Sequence, residues 1–248
     1  MGNSVRAVAT KGKRPLRVGA TPVPHAEILD FVRDPLADCG IDLQIEIFES
    51  FDEPNELLVA GRLQANFFQY RPFLDNFNRL TGNALVPVVP VHTEPFGLYS
   101  MTVTAVEAIP RYAEIALPSD PVNVDRSLRM LTELGLITRD PVGFATVYNV
   151  RENPRALLFK QLSSWTLAEV RADFDVVFLF GNQAMEWGVD IGSALHCDQG
   201  NSAYAEYLVA RPDNCDSYPV RALADALNRE QTRDFILTTY AGQVLPAF

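Results

Sequence analysis

Short apolar runs alternate with helix-patterned segments along almost the whole chain, and this alternation narrows the fold more than any other feature of the sequence. Leu16 to Ala20 is a compact apolar strand. After the turn Thr21-Pro22-Val23-Pro24, the segment His25 to Cys39 carries Ile28, Leu29, Val32 and Leu36 on one helical stripe. Ile41 to Phe48 alternates apolar and polar residues, as a half-buried strand does. Glu53 to Gly61 reads as a helix, with Pro54 in its first turn and Gly61 at its end. Ala84 to Val91 is a strand that Pro87 and Pro90 assign to an edge or an irregular path. Further strands are predicted at Phe96 to Val103, Glu114 to Leu117, Thr146 to Val150, Leu157 to Leu162, Asp175 to Phe180 and Ala203 to Ala210. Helices are predicted after Ser119-Asp120-Pro121-Val122-Asn123, at Trp165 to Ala172, and within Tyr218 to Tyr240. The pattern is that of α/β layers with largely parallel sheets. A chain of 248 residues can form one large domain or two lobes. It contains no flexible tether, so two lobes would be joined directly, with crossings near Ser100 and Gly200.

Composition excludes several function classes. With 21 basic and 31 acidic residues, a net charge of −10, the chain is a poor partner for a phosphate backbone or an anionic membrane surface. No apolar run approaches the roughly 18 residues needed to cross a bilayer. Residues 1–15 form a polar, basic tail without the apolar stretch of a signal peptide, which would leave a chain of this length in the cytoplasm if it were complete. Cys39, Cys197 and Cys215 fit no zinc or redox spacing, so ordinary thiols are expected, with a Cys197–Cys215 bridge left open. There is no phosphate-binding glycine loop and no nucleophile elbow. His92-Thr93-Glu94 offers metal-ligating groups, but no second cluster completes them, so neither a metal nor a cofactor is expected and His92 reads as a hydrogen-bonding residue at a strand end. No carboxylate pair stands out as a catalytic dyad, and no catalytic residue is assigned.

Two features do point to chemistry. The stretch Ala65-Asn66-Phe67-Phe68-Gln69-Tyr70-Arg71-Pro72-Phe73-Leu74-Asp75-Asn76-Phe77-Asn78 crowds five rings among amides, and its rings follow neither helical nor strand spacing. Some of them are therefore expected to line a cavity instead of filling a core. Arg126 lies just inside the helix that follows Asn123, where free amides and a planar guanidinium can together hold a carboxylate. The plain alternative for Arg126 is a surface salt bridge with Asp120 or Asp125.

The chain resembles the methionine-binding lipoprotein family of NlpA type, the substrate-binding proteins of methionine importers. The resemblance rests on Thr21-Pro22-Val23-Pro24-His25-Ala26-Glu27-Ile28, Glu53-Pro54-Asn55, the aromatic stretch, His92-Thr93-Glu94-Pro95-Phe96-Gly97-Leu98-Tyr99-Ser100, and Ile115-Ala116-Leu117-Pro118-Ser119-Asp120-Pro121-Val122-Asn123-Val124-Asp125-Arg126-Ser127-Leu128. Shorter echoes are Glu152-Asn153-Pro154 and the closing Val244-Leu245-Pro246-Ala247-Phe248, so the match runs in order from about residue 16 to the end. It implies a two-lobed periplasmic-binding-protein-like fold of type II, α/β in each lobe. The lobes would be residues 16–99 with 201–248, and residues 100–200.

It also implies a ligand held in the cleft between the lobes, an importer permease as partner and an extracytoplasmic location. Arg126 matches the arginine that holds the ligand's carboxylate, Phe68 matches a pocket aromatic, and Phe51 and Phe73 fall where the family commonly has tyrosine. Tyr70 stands where the family has a pocket histidine. Phe180 and Glu206 stand where it has ligand-binding asparagines, and Asp125 replaces a glycine. The expected site is therefore Phe51, Phe68, Tyr70, Phe73, His92, Arg126, Phe180 and Glu206, around a small amino-acid-like carboxylate that is not plain methionine. The alternative is an intracellular enzyme or sensor that reuses the scaffold, with Glu206, Asp125 and Tyr70 moving protons.

Overall fold

The computed structural model describes residues 12–198 and 202–248. In the first part of the chain β1 (Arg14–Ala20), α1 (Glu27–Phe31), α2 (Arg33–Asp38), β2 (Ile41–Ile47), α3 (Glu53–Val59), β3 (Ala65–Tyr70), α4 (Arg71–Thr81) and β4 (Val86–Thr93) follow one another. Next come β5 (Phe96–Tyr99), β6 (Glu114–Pro118), α5 (Pro121–Glu133), β7 (Thr138–Arg139), β8 (Val150–Glu152), β9 (Leu158–Leu162), β10 (Val176–Phe180), α6 (Gly181–Glu186) and β11 (His196–Asp198). The chain ends with β12 (Ala205–Ala210), α7 (Tyr218–Leu227), α8 (Glu230–Thr239) and β13 (Leu245–Pro246).

Among the described residues there are two main sheets, ordered β13-β4-β12-β3-β1-β2 and β11-β5-β10-β6-β9. Each has a parallel part, β2-β1-β3 and β9-β6-β10, extended by antiparallel strands that arrive later or cross over. The sheets are thus mixed, a detail hidden from the sequence because strand direction depends on where the connections run. The run Val176–Phe180 is apolar at every position because both faces of its sheet are covered. Val176 and Phe178 face the core under α5, while Val177 and Leu179 face the layer beside α6.

The first sheet is likewise covered on one face by α1, α2, α7 and α8 and on the other by α3 and α4. The chain leaves the first sheet at Glu94-Pro95, because Phe96–Tyr99 pairs with β10 and β11. The sequence had placed that crossing near Ser100. The return lies between Asp198 and Ala205, and the expected crossing at Gly200 falls outside the described residues, as does most of the expected basic tail. Gly181 permits the first crossing, since a Cβ there would lie 2.9 Å from Pro95 Cδ.

Several predicted elements change form. The helix expected over His25 to Cys39 breaks at Val32, because Pro35 has no N–H to give the carbonyl of Phe31. Of the two positions its prolines allow, β4 takes the irregular path and not the edge. It lies between β12 and β13, with register shifts on its β12 side that pass over Val91 and Val88, next to the two prolines. Thr146–Asn149 is a tight turn closed by bonds from Thr146 N and Oγ1 to Asn149 Oδ1, so the strand begins only at Val150. Trp165–Ala172 forms short turns without a full helix. Cys39 and Cys215 are unbridged.

Candidate functional site

The aromatic stretch owes its irregular spacing to its place in the fold. It is a strand that passes directly into a helix, with Tyr70 at the helix boundary and Pro72 in the first turn. A bulge at Phe68 interrupts the pairing of β3 with β12, since Gln69 faces Tyr207 and Phe67 faces Leu208. The bulge re-aims the side chains on either side of it. Phe67 enters the core, while Phe68, Tyr70 and Phe73 turn toward a cavity between the two sheets.

A buried amide network secures the strand behind them. Gln69 Nε2 donates to Asn55 Oδ1 at 2.6 Å and to Asn66 Oδ1 at 2.9 Å, and Asn55 Nδ2 donates to Gln69 Oε1 at 2.9 Å. Every amide in that set has a partner, which rigidifies the cavity wall.

The cavity offers about 30 Å³ to a water-sized sphere, room for a water or two, so its walls lie close together. One end is apolar. Phe51 stands at its centre, with ring centroids 6.3 Å from Phe68, 6.4 Å from Phe73, 6.0 Å from Phe180 and 5.6 Å from Trp165. Phe68, Phe73 and Phe51 come from the first part of the chain, Phe180 and Trp165 from the second, so the ring contacts tie the two sheets together. Tyr70 OH donates to Asn123 Oδ1 and adds a polar tie across the same gap.

The other end is charged. Asp120 caps α5 by accepting from Asn123 N at 2.9 Å, and Arg126 is carried on the buried face of that helix. Its guanidinium lies over the Tyr204 ring at 3.7 Å and the Phe96 ring at 4.6 Å. Its Nε and Nη2 donate to Asp198 at 2.9–3.1 Å. Arg126 is thus neither surface-exposed nor paired with Asp120 or Asp125. Asp125 faces away from the cavity and accepts from Arg129 at 2.7 Å, from Arg139 at 2.9 Å and from Ala145 N at 2.9 Å.

Across from Arg126, Glu94 and Glu206 approach one imidazole. His25 Nε2 lies 3.6 Å from Glu94 Oε1 and 3.9 Å from Glu206 Oε2. His92 Nε2 donates to Glu94 Oε1 at 2.9 Å, and Asn182 N donates to Glu94 Oε2 at 2.7 Å. His25 Nδ1 is fixed by Thr21 Oγ1 at 2.8 Å. Burial holds both imidazoles neutral, with each pKa down to about 3. Burial pushes the Glu206 carboxyl up, the charge of Glu94 pushes it further, and Arg126 opposes both. Glu94 is raised by burial and drawn back by His25 and the Asn182 amide. Among the described residues, Glu206 Oε2 and His25 Nε2 have no hydrogen-bond partner. His25, His92 and Glu94 offer metal-ligating atoms all within 4.8 Å of one another. These donor types ligate zinc, but as they stand His92 and Glu94 satisfy each other.

A model of the NlpA lipoprotein family matches residues 16–248. The chain belongs to this family. It is 32% identical over 246 residues to the methionine-binding lipoprotein MetQ of Bacillus subtilis, covering 96% of this chain and 90% of that protein. It is 34% identical over 234 residues to membrane lipoprotein TpN32 of Treponema pallidum, covering 93% of this chain and 87% of the relative. Its fold is that of a two-lobed substrate-binding protein. The structure of a nutrient-binding protein from Burkholderia cenocepacia bound to methionine superposes with a TM-score of 0.90 at 27% identity, covering 94% of this chain and 100% of that one.

Of the side chains singled out in this NlpA-family sequence, Phe51, Phe68, Tyr70, Phe73, Arg126, Phe180 and Glu206 surround one cavity. His92 is fully buried one layer behind it, bonded to Glu94 and with its ring centroid 4.9 Å from that of His25. Sequence reading missed His25, Glu94, Tyr204 and Asp198. His25 and Glu94 sit inside the motifs that carried the resemblance, and His25 supplies the further metal-type donor that His92-Thr93-Glu94 lacked. Asp198 and Tyr204 flank a loop with no motif, so no local signal marks them.

Proposed function

We propose that this chain is the substrate-binding component of an importer, working outside the cytoplasmic membrane, and that it encloses one small amino-acid-like molecule between its lobes. The observation that carries the proposal is the convergence of an aromatic cage and a polar end on one cavity whose walls come from both sheets. In this reading Phe51, Phe68, Phe73 and Phe180 remove the ligand's side chain from water, at about 25 cal/mol per Å² buried. Arg126 and Tyr70 face its carboxyl end, and Glu206 with Glu94 takes its nitrogen. Arg126 Nη1 makes no hydrogen bond among the described residues, which leaves it for that acceptor. His92 acts by holding Glu94.

Ligand contacts to both walls would favour the closed arrangement, as in hinge closure. The lobes, in this proposal, divide at Glu94-Pro95 and between Asp198 and Ala205. The relatives are named as lipoproteins, which supports the extracytoplasmic location and a permease partner and gives no support to a cytoplasmic one.

A thermal-shift panel of amino acids and analogues, run on wild type and Arg126→Ala, tests the reading. A ligand that stabilises the wild type and leaves the variant unmoved is expected. One that stabilises both equally would remove Arg126 from the site.

A further inference from the structure

The charged end of the cavity is unbalanced, and the imbalance bears on the ligand's charge. Arg126 is the only full positive charge among the described residues that line the cavity, and Asp198 already occupies it. Asp198 accepts from Arg126 through both oxygens and is anchored by Phe96 N at 2.9 Å. The arginine is itself clamped between rings, so the pair is a fixed part of the wall. Asp198 therefore stands in the role an amino acid's carboxylate would fill, a two-oxygen acceptor on the guanidinium.

The nitrogen end departs from balance in the same direction. Glu94 and Glu206 both face this end of the cavity, and the two imidazoles that touch them carry no charge near neutral pH. Glu206 Oε2 is buried and has no hydrogen-bond partner among the described residues. Counting the Arg126–Asp198 pair as neutral leaves two carboxyl groups with no cation to meet them, so burial and, at Glu206, the neighbouring Glu94 favour their protonated forms until an ammonium arrives. A zwitterion brings its own negative charge into this wall and must set it beside Asp198. A monocation brings only what the wall lacks.

Resting on the amino-acid-like reading above, we infer that the cavity selects cations over zwitterions. Its ligand class is a primary amine with an apolar side chain whose carboxylate is masked as an amide or ester, or is missing. The ammonium lies between Glu206 and Glu94, and a neutral carbonyl, where the ligand has one, meets Arg126 Nη1 beside Asp198.

Isothermal titration of the full chain near neutral pH, where the probe amines are largely protonated and the carboxyls are not driven to their acid forms, tests the inference with matched probes. These are L-methionine, L-methioninamide and the amine left when methionine loses its carboxylate, with the same three forms of phenylalanine. The expected result is that the amide and the amine of at least one series bind wild type about tenfold or more tightly than the parent amino acid. Asp198→Asn should narrow or reverse that preference by freeing Arg126, and Glu206→Gln should weaken the amide about tenfold while changing the parent amino acid less. If Asp198→Asn does not fold, the wild-type comparison decides alone. A parent amino acid that binds wild type as tightly as its amide, or more tightly, overturns the cation preference and leaves the amino-acid-like reading standing. Failure of all six probes overturns both.

Discussion

The two ends of the cavity are built on opposite principles. At the apolar end the contacts are many and interchangeable. Phe51 alone meets four other rings, so loss of one neighbour leaves the others in place. At the charged end the contacts are few and specific. Among the described residues, Asp198 has one cation, Glu94 has one imidazole donor and one amide, and Glu206 Oε2 has none. Packing tolerates small deletions because dispersion is spread over many atoms. A buried charge does not, because desolvation leaves it no substitute partner. The ring end should therefore be adaptable in the shapes it admits, and the charged end exacting about charge.

The largest expected effect is at the charged end. Arg126→Ala strands Asp198 and uncovers Tyr204 and Phe96, and should destabilise the protein by about 2–4 kcal/mol in urea melts. That is somewhat below the usual loss for a fully buried pair, because Asp198 keeps some solvent contact. Phe68→Ala at the ring end should cost about 2 kcal/mol, below the usual loss for a buried phenylalanine, because its side chain borders the cavity. If Phe68→Ala proves the more damaging of the two, the contrast between the ends is wrong.

Acid titration sharpens the same contrast. His25 and His92 take protons in the unfolded chain around pH 6.5 but in the fold only near pH 3. The unfolded state then binds more protons across that window, so their contribution to stability is complete above about pH 6.5 and falls as the pH drops toward 3. Glu94 and Glu206, held up by burial, act in the opposite direction. Urea melts across this range should give a flatter acid limb for His92→Gln than for wild type. An unchanged limb would mean that His92 is not held neutral.

The smallest effect expected is a gain. Glu206→Gln removes a carboxyl whose charged form burial and Glu94 both disfavour, and should raise stability by about 1 kcal/mol while weakening amine ligands. A loss of stability would show that Glu206 has a structural partner.

The elements most legible in the sequence were those whose signal is local. The strand Leu16 to Ala20, the run Val176–Phe180 and the helix of Arg126 all follow from short-range pattern and capping. The segment Trp165 to Ala172 failed because apolar spacing there marks contact with Phe51 and the second sheet and not a helical face. Sequence alone does not fix the change of sheet at Glu94-Pro95, because β5 joins its sheet through partners that lie far away in sequence. Within the site, the rings and Arg126 were readable because they sit in dense motifs. Asp198 was not, since nothing near it announces that it will meet a residue 72 positions away.

By itself the sequence determined the layered α/β build, the aromatic character of one stretch and the placing of an arginine on a capped helix, because each depends on neighbours within a few residues. Only the tertiary structure decided what that arginine touches. Charges balance in space and not along the chain, and the strand that brings Asp198 to Arg126 is set by sheet order, as is the strand that turns Glu206 toward Glu94 and His25.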